Sequence, residues 1–267
     1  MVSQFYSPFF FFKNKIPNEF LNIFILAHKD FPNKLTNNSY KIICDNKTQL
    51  KNEYQLKIIE AYKDNELYPK KRGYSEGSKI FYIWKKYKKK KMSSKYVGFV
   101  HYRRVFSFKN NIPDLDKIFT QYDCILKNKV RFRVSVKAQF AGSHFISFLD
   151  EVLTIIKENF TEYYQSAIKT LNGRTGSYCN IFIMKKEDFI KYGEFVFGVL
   201  LELDRRHKLK NDDDIKNLII AEIERTRRKT RVFYQCRLQG YLMERISIIF
   251  YDYYFNKPFE EIKTTNQ

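Results

Sequence analysis

Residues 96–106 read Tyr-Val-Gly-Phe-Val-His-Tyr-Arg-Arg-Val-Phe, and this stretch decides the fold. Its first five residues carry no charge and do not alternate with polar ones, the pattern of a strand buried on both faces. His101, Arg103 and Arg104 follow at once. In open α/β sheets ligands bind beyond the carboxyl ends of the strands, so this strand delivers a histidine and two arginines to a binding edge. A guanidinium offers a planar fork of donors that suits phosphate oxygens. The same arginines are equally able to pair structural carboxylates, and charge alone does not separate the two.

Working outward, residues 22–27 form a second continuous apolar run that opens into His28, Lys29 and Asp30, and residues 41–44 form a third. Between them and the 96–100 run, Ile80, Ile83, Trp84 and Tyr87 recur at helical spacing, predicting an amphipathic helix from Ser75 to about Lys89 with a basic end at residues 85–91. That end reads as solvated surface, with phosphate or lipid contact the competing reading. Further strands are expected at 122–126 and 178–184, and helices at 146–171, 186–204 and 237–250. Strands alternating with helices predict an α/β fold: a single Rossmann-like domain with a mostly parallel central sheet flanked by helices. It is expected over residues 21–255, between an aromatic and basic segment at 1–20 and a tail at 256–267. Residues 207–230 are dense in charge and read as a polar helix or excursion rather than core.

The composition agrees with a packed globule. Of 267 residues, 44% are hydrophobic and 18% aromatic, which excludes a disordered chain. The formal charge of +20 favours anionic partners without choosing among nucleic acid, anionic lipid and phosphorylated substrates. Cys44, Cys124, Cys179 and Cys236 show no CxxC or zinc spacing and read as reduced thiols, three of them in buried strands, which fits a cytoplasmic protein. No apolar run is long enough to span a bilayer, and no secretory cleavage site is expected. The aromatic cluster at residues 9–12, flanked by Lys13 and Lys15, suits either a lipid interface or packing on the domain. A nucleic-acid-binding module is the alternative function, but no RNP signature, zinc spacing or helix-turn-helix pattern supports it.

The block from Tyr74, Ser75, Glu76, Gly77 and Ser78 to Trp84 and Lys85, followed by residues 96–106, resembles the capsular and exopolysaccharide glycosyltransferases of bacteria and some large viruses. The resemblance runs on through Tyr122-Asp123, His144, residues 156–163, residues 180–184, Gln235-Cys236-Arg237 and residues 240–245. It implies a GT-A-like fold, a nucleotide-diphosphate donor such as a uridine diphosphate hexose, often galactose, and a glycan or lipid-linked acceptor. Peripheral contact with an anionic membrane is the expectation from the positive charge, residues 85–91 and the aromatic segment at 9–12, and no nucleic-acid partner is expected. A catalytically inactive glycan binder is the other outcome the family allows.

Most GT-A enzymes hold a divalent metal on the diphosphate with an Asp-x-Asp motif after a central strand. Here His101, Arg103 and Arg104 occupy that place, so no metal ligands are assigned and no cofactor is firmly expected. Asp212, Asp213 and Asp214 satisfy the motif by composition only. For the donor site, the strand ends and the family blocks together give His28, Lys29, Glu76, His101, Arg103, Arg104, Asn180, Arg237 and Arg245. An inverting transfer needs a group to accept the acceptor hydroxyl's proton, and the blocks offer Asp123, His144 and Glu244. Glu244 is equally suited to an ion pair with Arg245. Where the family often carries an acidic residue a turn after its histidine, Phe148 stands here, with Asp150 further on.

Overall fold

Leu21–Leu26 (β1) is buried at every position, as a central parallel strand must be. The computed structural model describes residues 20–257, 260–262 and 264–266, so the aromatic cluster at 9–12 lies outside the described residues. After β1 come Tyr40–Cys44 (β2), Lys57–Glu60 (β3), the single-turn helix Lys71–Tyr74 (α1), Gly77–Lys88 (α2), Tyr96–His101 (β4) and Arg104–Phe106 (β5). The middle of the chain supplies Leu115–Gln121 (α3), Cys124–Lys127 (β6), Val130–Arg131 (β7), Val136–Ser143 (α4), Ile146–Asn159 (α5), Thr161–Asn172 (α6) and Thr175–Gly176 (β8). It closes with Phe182–Lys185 (β9), Lys186–Arg206 (α7), Asp212–Thr226 (α8), Val232–Gln235 (α9), Leu238–Tyr254 (α10), Glu260–Ile262 (β10) and Thr264–Asn266 (β11).

The main sheet has the order β10-β6-β9-β4-β1-β2-β3, with β5 beside β4 and β11 beside β5; β7 and β8 form a separate ribbon. β1, β2, β3 and β4 are mutually parallel, while β9 runs against both β4 and β6 and β5 against β4 and β11. The sheet is thus mostly parallel. Gly98 makes the β4–β9 contact close: a Cβ there would meet the Ile183 side chain at 2.8 Å. Residues 260–266, read from the sequence as tail, add the two outer strands.

Alternate residues of β1 and β4 face opposite layers. Phe24, Leu26, Val97 and Phe99 pack under α2, α5, α6, α7 and α10, with Ile80, Ile83, Trp84 and Tyr87 of α2 all buried there. Leu21, Ile23, Ile25 and Val100 pack instead on α3 and on loops carrying Phe31, Leu35, Leu50 and Ile112. Helices therefore crowd one face, and the other is closed largely by irregular chain.

Several expected boundaries move, each for a local reason. The 146–171 helix is two helices, because Phe160 leaves helical geometry (φ −142°, ψ 51°) and lies edge-on to Phe195 at 5.5 Å. Gly198 gives it room, since a Cβ there would come within 2.6 Å of the Phe160 ring. The 178–184 strand shrinks to its last part because Cys179 (φ 78°) and Asn180 (φ 50°) are left-handed, so Cys179 is a loop residue. Cys236 likewise stands at the α9–α10 junction, leaving Cys44 and Cys124 on strands. All four thiols are free. The charged stretch at 207–230 holds α8, opened by a capping box between Asn211 and Asp214, and it buries Ile215 and Ile219 in the core. Density of charge on its outer face hid that stripe.

Among the described residues no helix is long and apolar enough to cross a membrane.

Candidate donor cleft and the adjoining loop

Because β1, β2 and β4 are parallel, their carboxyl ends open on one side, and a cavity of about 440 Å³ lies there. β1 contributes His28 and Lys29, β2 contributes Asp45, and the turn after β4 contributes Tyr102 and Arg103. The opposite wall comes from α1 and α2, with Lys71, Arg72, Ser75, Glu76 and Lys79, and from Phe233 on α9 and Arg237 at the N-cap of α10. Six cationic side chains thus face two carboxylates. Such an excess, focused in a cleft with low-dielectric walls, attracts anions.

Both carboxylates are already engaged. Lys79 Nζ lies 2.8 Å from Asp45 Oδ2 in a pair buried on both sides, while Asp45 Oδ1 has no hydrogen-bond partner. Glu76 receives His101 Nε2 at 3.2 Å and Arg237 Nη2 at 3.7 Å. The Arg103 amide donates to His101 Nδ1 at 3.2 Å, so the ring proton sits on Nε2 and is given to Glu76. Burial opposes ionisation of Glu76, yet the bond from His101, a backbone amide and Arg237 outweigh it and hold the carboxyl at about 2. Burial lowers the pKa of His28, and Lys79 and Lys29 add to the effect over the pull of Glu76. His28 is therefore a neutral ring in the cleft wall, with Nε2 3.3 Å from the Tyr102 hydroxyl.

A second cluster adjoins the first around residues 177–180. The Cys179 amide donates to Glu244 Oε1 at 3.1 Å, and Arg104 Nη1 reaches Cys179 Sγ at 3.1 Å. Arg103 and Arg104 therefore diverge, one into the cleft and one onto this loop. Arg245 pairs with Glu244 at 3.0 Å and lies over the Tyr178 ring at 5.0 Å. Asn180 is buried, 7% exposed, and its Oδ1 has no partner. Two successive left-handed residues without glycine are strained, and strain of this kind gathers at binding sites. Burial raises the pKa of Glu244, the charge on Glu76 raises it further, and Arg245 only partly compensates.

Two sequence candidates stand elsewhere. Asp123 lies at the amino end of β6, on the opposite edge of the sheet, where its carboxylate accepts the Lys257 amide at 2.7 Å. The physical reason is strand direction: β6 points the same way as β4, so its carboxyl end, not its start, faces the site. His144 is buried at the end of α4, stacked on Tyr241 with centroids 3.9 Å apart and within 3.2 Å of Gln235 Oε1. Burial, with Arg245 and Arg228 nearby, takes its pKa down to about 4. Sequence reasoning missed Asp45, Arg72, Lys79 and Phe233. Asp45 was within reach, since it follows the 41–44 run just as His28 follows β1.

The donor set does not fit a divalent cation on the diphosphate. Asp45 and Glu76 each face cations, and arginine cannot ligate a metal. Asp212 accepts the Arg72 and Gly73 amides and Asp214 caps α8. Among the described residues no cluster of three or more His, Cys, Asp or Glu side chains is poised to hold a metal ion.

The structure is similar to the apo structure of WbbM, a bifunctional glycosyltransferase, with a TM-score of 0.63 and 21% identity. The match covers 92% of this chain and 45% of that one, so the chain spans less than half the length of the protein it matches. The shared architecture is GT-A-like. No curated protein matches the chain. The model of the domain of unknown function DUF4422 matches residues 22–223, most of the chain, and the protein belongs to that family.

Proposed function

We propose that the protein is a glycosyltransferase that moves a sugar, a hexose such as galactose, from a uridine diphosphate donor to a glycan or lipid-linked acceptor in polysaccharide synthesis. The observation that carries this reading is the cationic cleft at the carboxyl ends of β1, β2 and β4, the edge where open α/β sheets bind nucleotides. Breaking the bond from the anomeric carbon to the diphosphate puts negative charge on the leaving oxygens. Arg103, Arg237, Arg72 and Lys29 line the cleft where that charge develops, and cations held there stabilise the leaving oxygens. The free Oδ1 of Asp45 offers an acceptor for an N–H of the base. Asn180 Oδ1 offers one for a sugar hydroxyl. Glu244, whose pKa burial raises and whose carboxylate is thereby a stronger base, accepts the proton of the attacking hydroxyl.

A thermal-shift screen tests this reading. Uridine diphosphate sugars are expected to raise the melting temperature and free galactose to leave it unchanged; no shift with any nucleotide or nucleotide sugar would contradict it. Weak adsorption to anionic lipid belongs to the same proposal, on the strength of the net charge of +20 and exposed Lys89, Lys90 and Lys91. Lys85, Lys86 and Lys88 contribute less, being paired with Glu66, Asp64 and Glu194. Cosedimentation with anionic vesicles that falls with salt checks it, and equal recovery on neutral vesicles contradicts it.

A further inference from the structure

Phe233 and Tyr234 are 67% and 47% exposed, the most exposed aromatic rings among the described residues. Exposed rings side by side are a cost in water unless something covers them. They belong to the short segment between α8 and α10, and their position is not incidental: Phe233 and Arg237 line both the donor cleft and a second cavity of about 370 Å³, completed by Thr230, Arg231 and Tyr234. The two cavities are therefore neighbours, with Phe233 and Arg237 in the wall of both. The second is near the lower limit of the ~300–1,000 Å³ found for small-molecule sites, a size for one or two sugar rings rather than a peptide or a helix.

The rings are held, not loose. Arg72 lies over Phe233 at 4.7 Å. Tyr234 stacks on the His144 ring with centroids 5.6 Å apart and planes 15° apart, and Tyr241 closes the stack, its hydroxyl donating to the Tyr234 carbonyl at 3.1 Å. His144 is itself fixed by Gln235, which bridges to the Ser143 carbonyl at 2.9 Å and the Thr230 hydroxyl at 3.0 Å. A rigid, half-bare aromatic pair with arginine and hydroxyl groups at its rim matches a pyranose, which presents an apolar C–H face to a ring and hydroxyls at its edge. The base of the donor is not the expected occupant, because the unpartnered acceptor suited to it, Asp45 Oδ1, is on the β2 side of the cleft and Phe233 is on the opposite, α9 side.

We infer that Phe233 and Tyr234 form the acceptor subsite, stacking a pyranose ring of the acceptor glycan at the mouth of the donor cleft, with His144 a positioning residue behind them. The inference rests on the proposed transfer reaction. Its test is binding of the labelled full chain to an array of pyranose glycans with uridine diphosphate present, alongside calorimetric titration of uridine diphosphate alone. Tyr234 lies outside the donor-cleft lining, so Tyr234→Ala is expected to lower glycan retention at least 10-fold while changing nucleotide affinity less than 2-fold, Phe233→Ala to lower glycan retention at least 10-fold, and Phe233→Trp to retain binding. Nucleotide bound normally, with glycan retention absent in the parent or unchanged in both alanine variants, overturns the subsite alone. A fall in nucleotide affinity of 5-fold or more in Phe233→Ala overturns it too, by assigning the ring to the base. Failure of the parent to bind uridine diphosphate at all overturns the underlying reaction.

Discussion

The two edges of the central sheet are built on different terms. At the amino edge every polar group in the main network has a partner: Asn22 donates to the Tyr87 hydroxyl at 2.7 Å, that hydroxyl meets Ser94 at 2.7 Å, Ser94 donates to the Tyr96 carbonyl, and the Tyr96 hydroxyl donates to Asp116 at 2.6 Å. Asp123 belongs here, holding Lys257. At the carboxyl edge, buried acceptors on Asp45, Asn128 and Asn180 are left without partners, as are the Tyr178 hydroxyl and Arg245 Nε. Buried polar groups are almost always satisfied, and each orphan costs about 1–3 kcal/mol. A group of them along one edge is a cost in stability, and under the proposed function a bound ligand completes those bonds.

The contrast breaks if substitutions at the two edges behave alike. The largest expected effect is at Glu244: Glu244→Gln removes the proposed proton acceptor and should lower kcat by about 10²–10⁴, the span of general base catalysis, with nucleotide affinity preserved. Steady-state turnover together with nucleotide titration checks it, and a kcat within a few-fold of the parent would move Glu244 to the structural role its Arg245 pair already allows.

Acid should act in two windows. The unfolded value of His144 is about 6.5 and the folded one about 4, so the unfolded chain takes up the proton first as pH falls. The neutral ring's contribution is complete above about 6.5 and lost by about pH 4, on the order of 3 kcal/mol in all. Glu76, held at about 2, contributes fully above its ordinary value of about 4.3 and loses that contribution as pH falls toward 2. Urea unfolding across this range should show both losses, and His144→Gln should shrink the upper window to the share of His28, whose pKa burial also lowers, while leaving the lower one.

Arg103→Ala should weaken transfer by about 1.5–3 kcal/mol, the worth of a charged hydrogen bond, and Arg103→Lys should rescue poorly for want of the fork. Unchanged kcat/KM with an intact fold would return the arginine to a surface role. The smallest effect belongs to the other edge. Asp123→Asn should leave kcat/KM within 2-fold and cost about 1 kcal/mol of stability for one weakened bond; a large loss of activity would dissolve the contrast between the edges.

How much of this was legible in the sequence depends on distance along the chain. β1, β2 and β4 announce themselves as uninterrupted apolar runs, and with them the positions of His28, Lys29, His101 and Arg103, since a parallel strand carries its next residues to the binding edge. Asn180 and Asp123 show the limit. Both flank apolar runs, but β9 runs against its neighbours and β6 with them, so Asn180 arrives at the cleft side from the start of its strand and Asp123 departs from it. Strand direction is set by tertiary pairing, and a single sequence does not display it. Arg72, Lys79 and Phe233 were hidden for another reason: each is one basic or aromatic residue among many in a chain with a charge of +20 and 18% aromatics, and helix packing brings them together across large sequence separations.

The most direct test of the donor cleft is calorimetric titration of uridine diphosphate, with uridine as the control, in a buffer containing a metal chelator. The account predicts saturable binding of the diphosphate at least 10-fold tighter than uridine, unchanged by the chelator and weakened in Arg103→Ala. Equal affinities for the two ligands, or diphosphate binding that vanishes with the chelator, would contradict it.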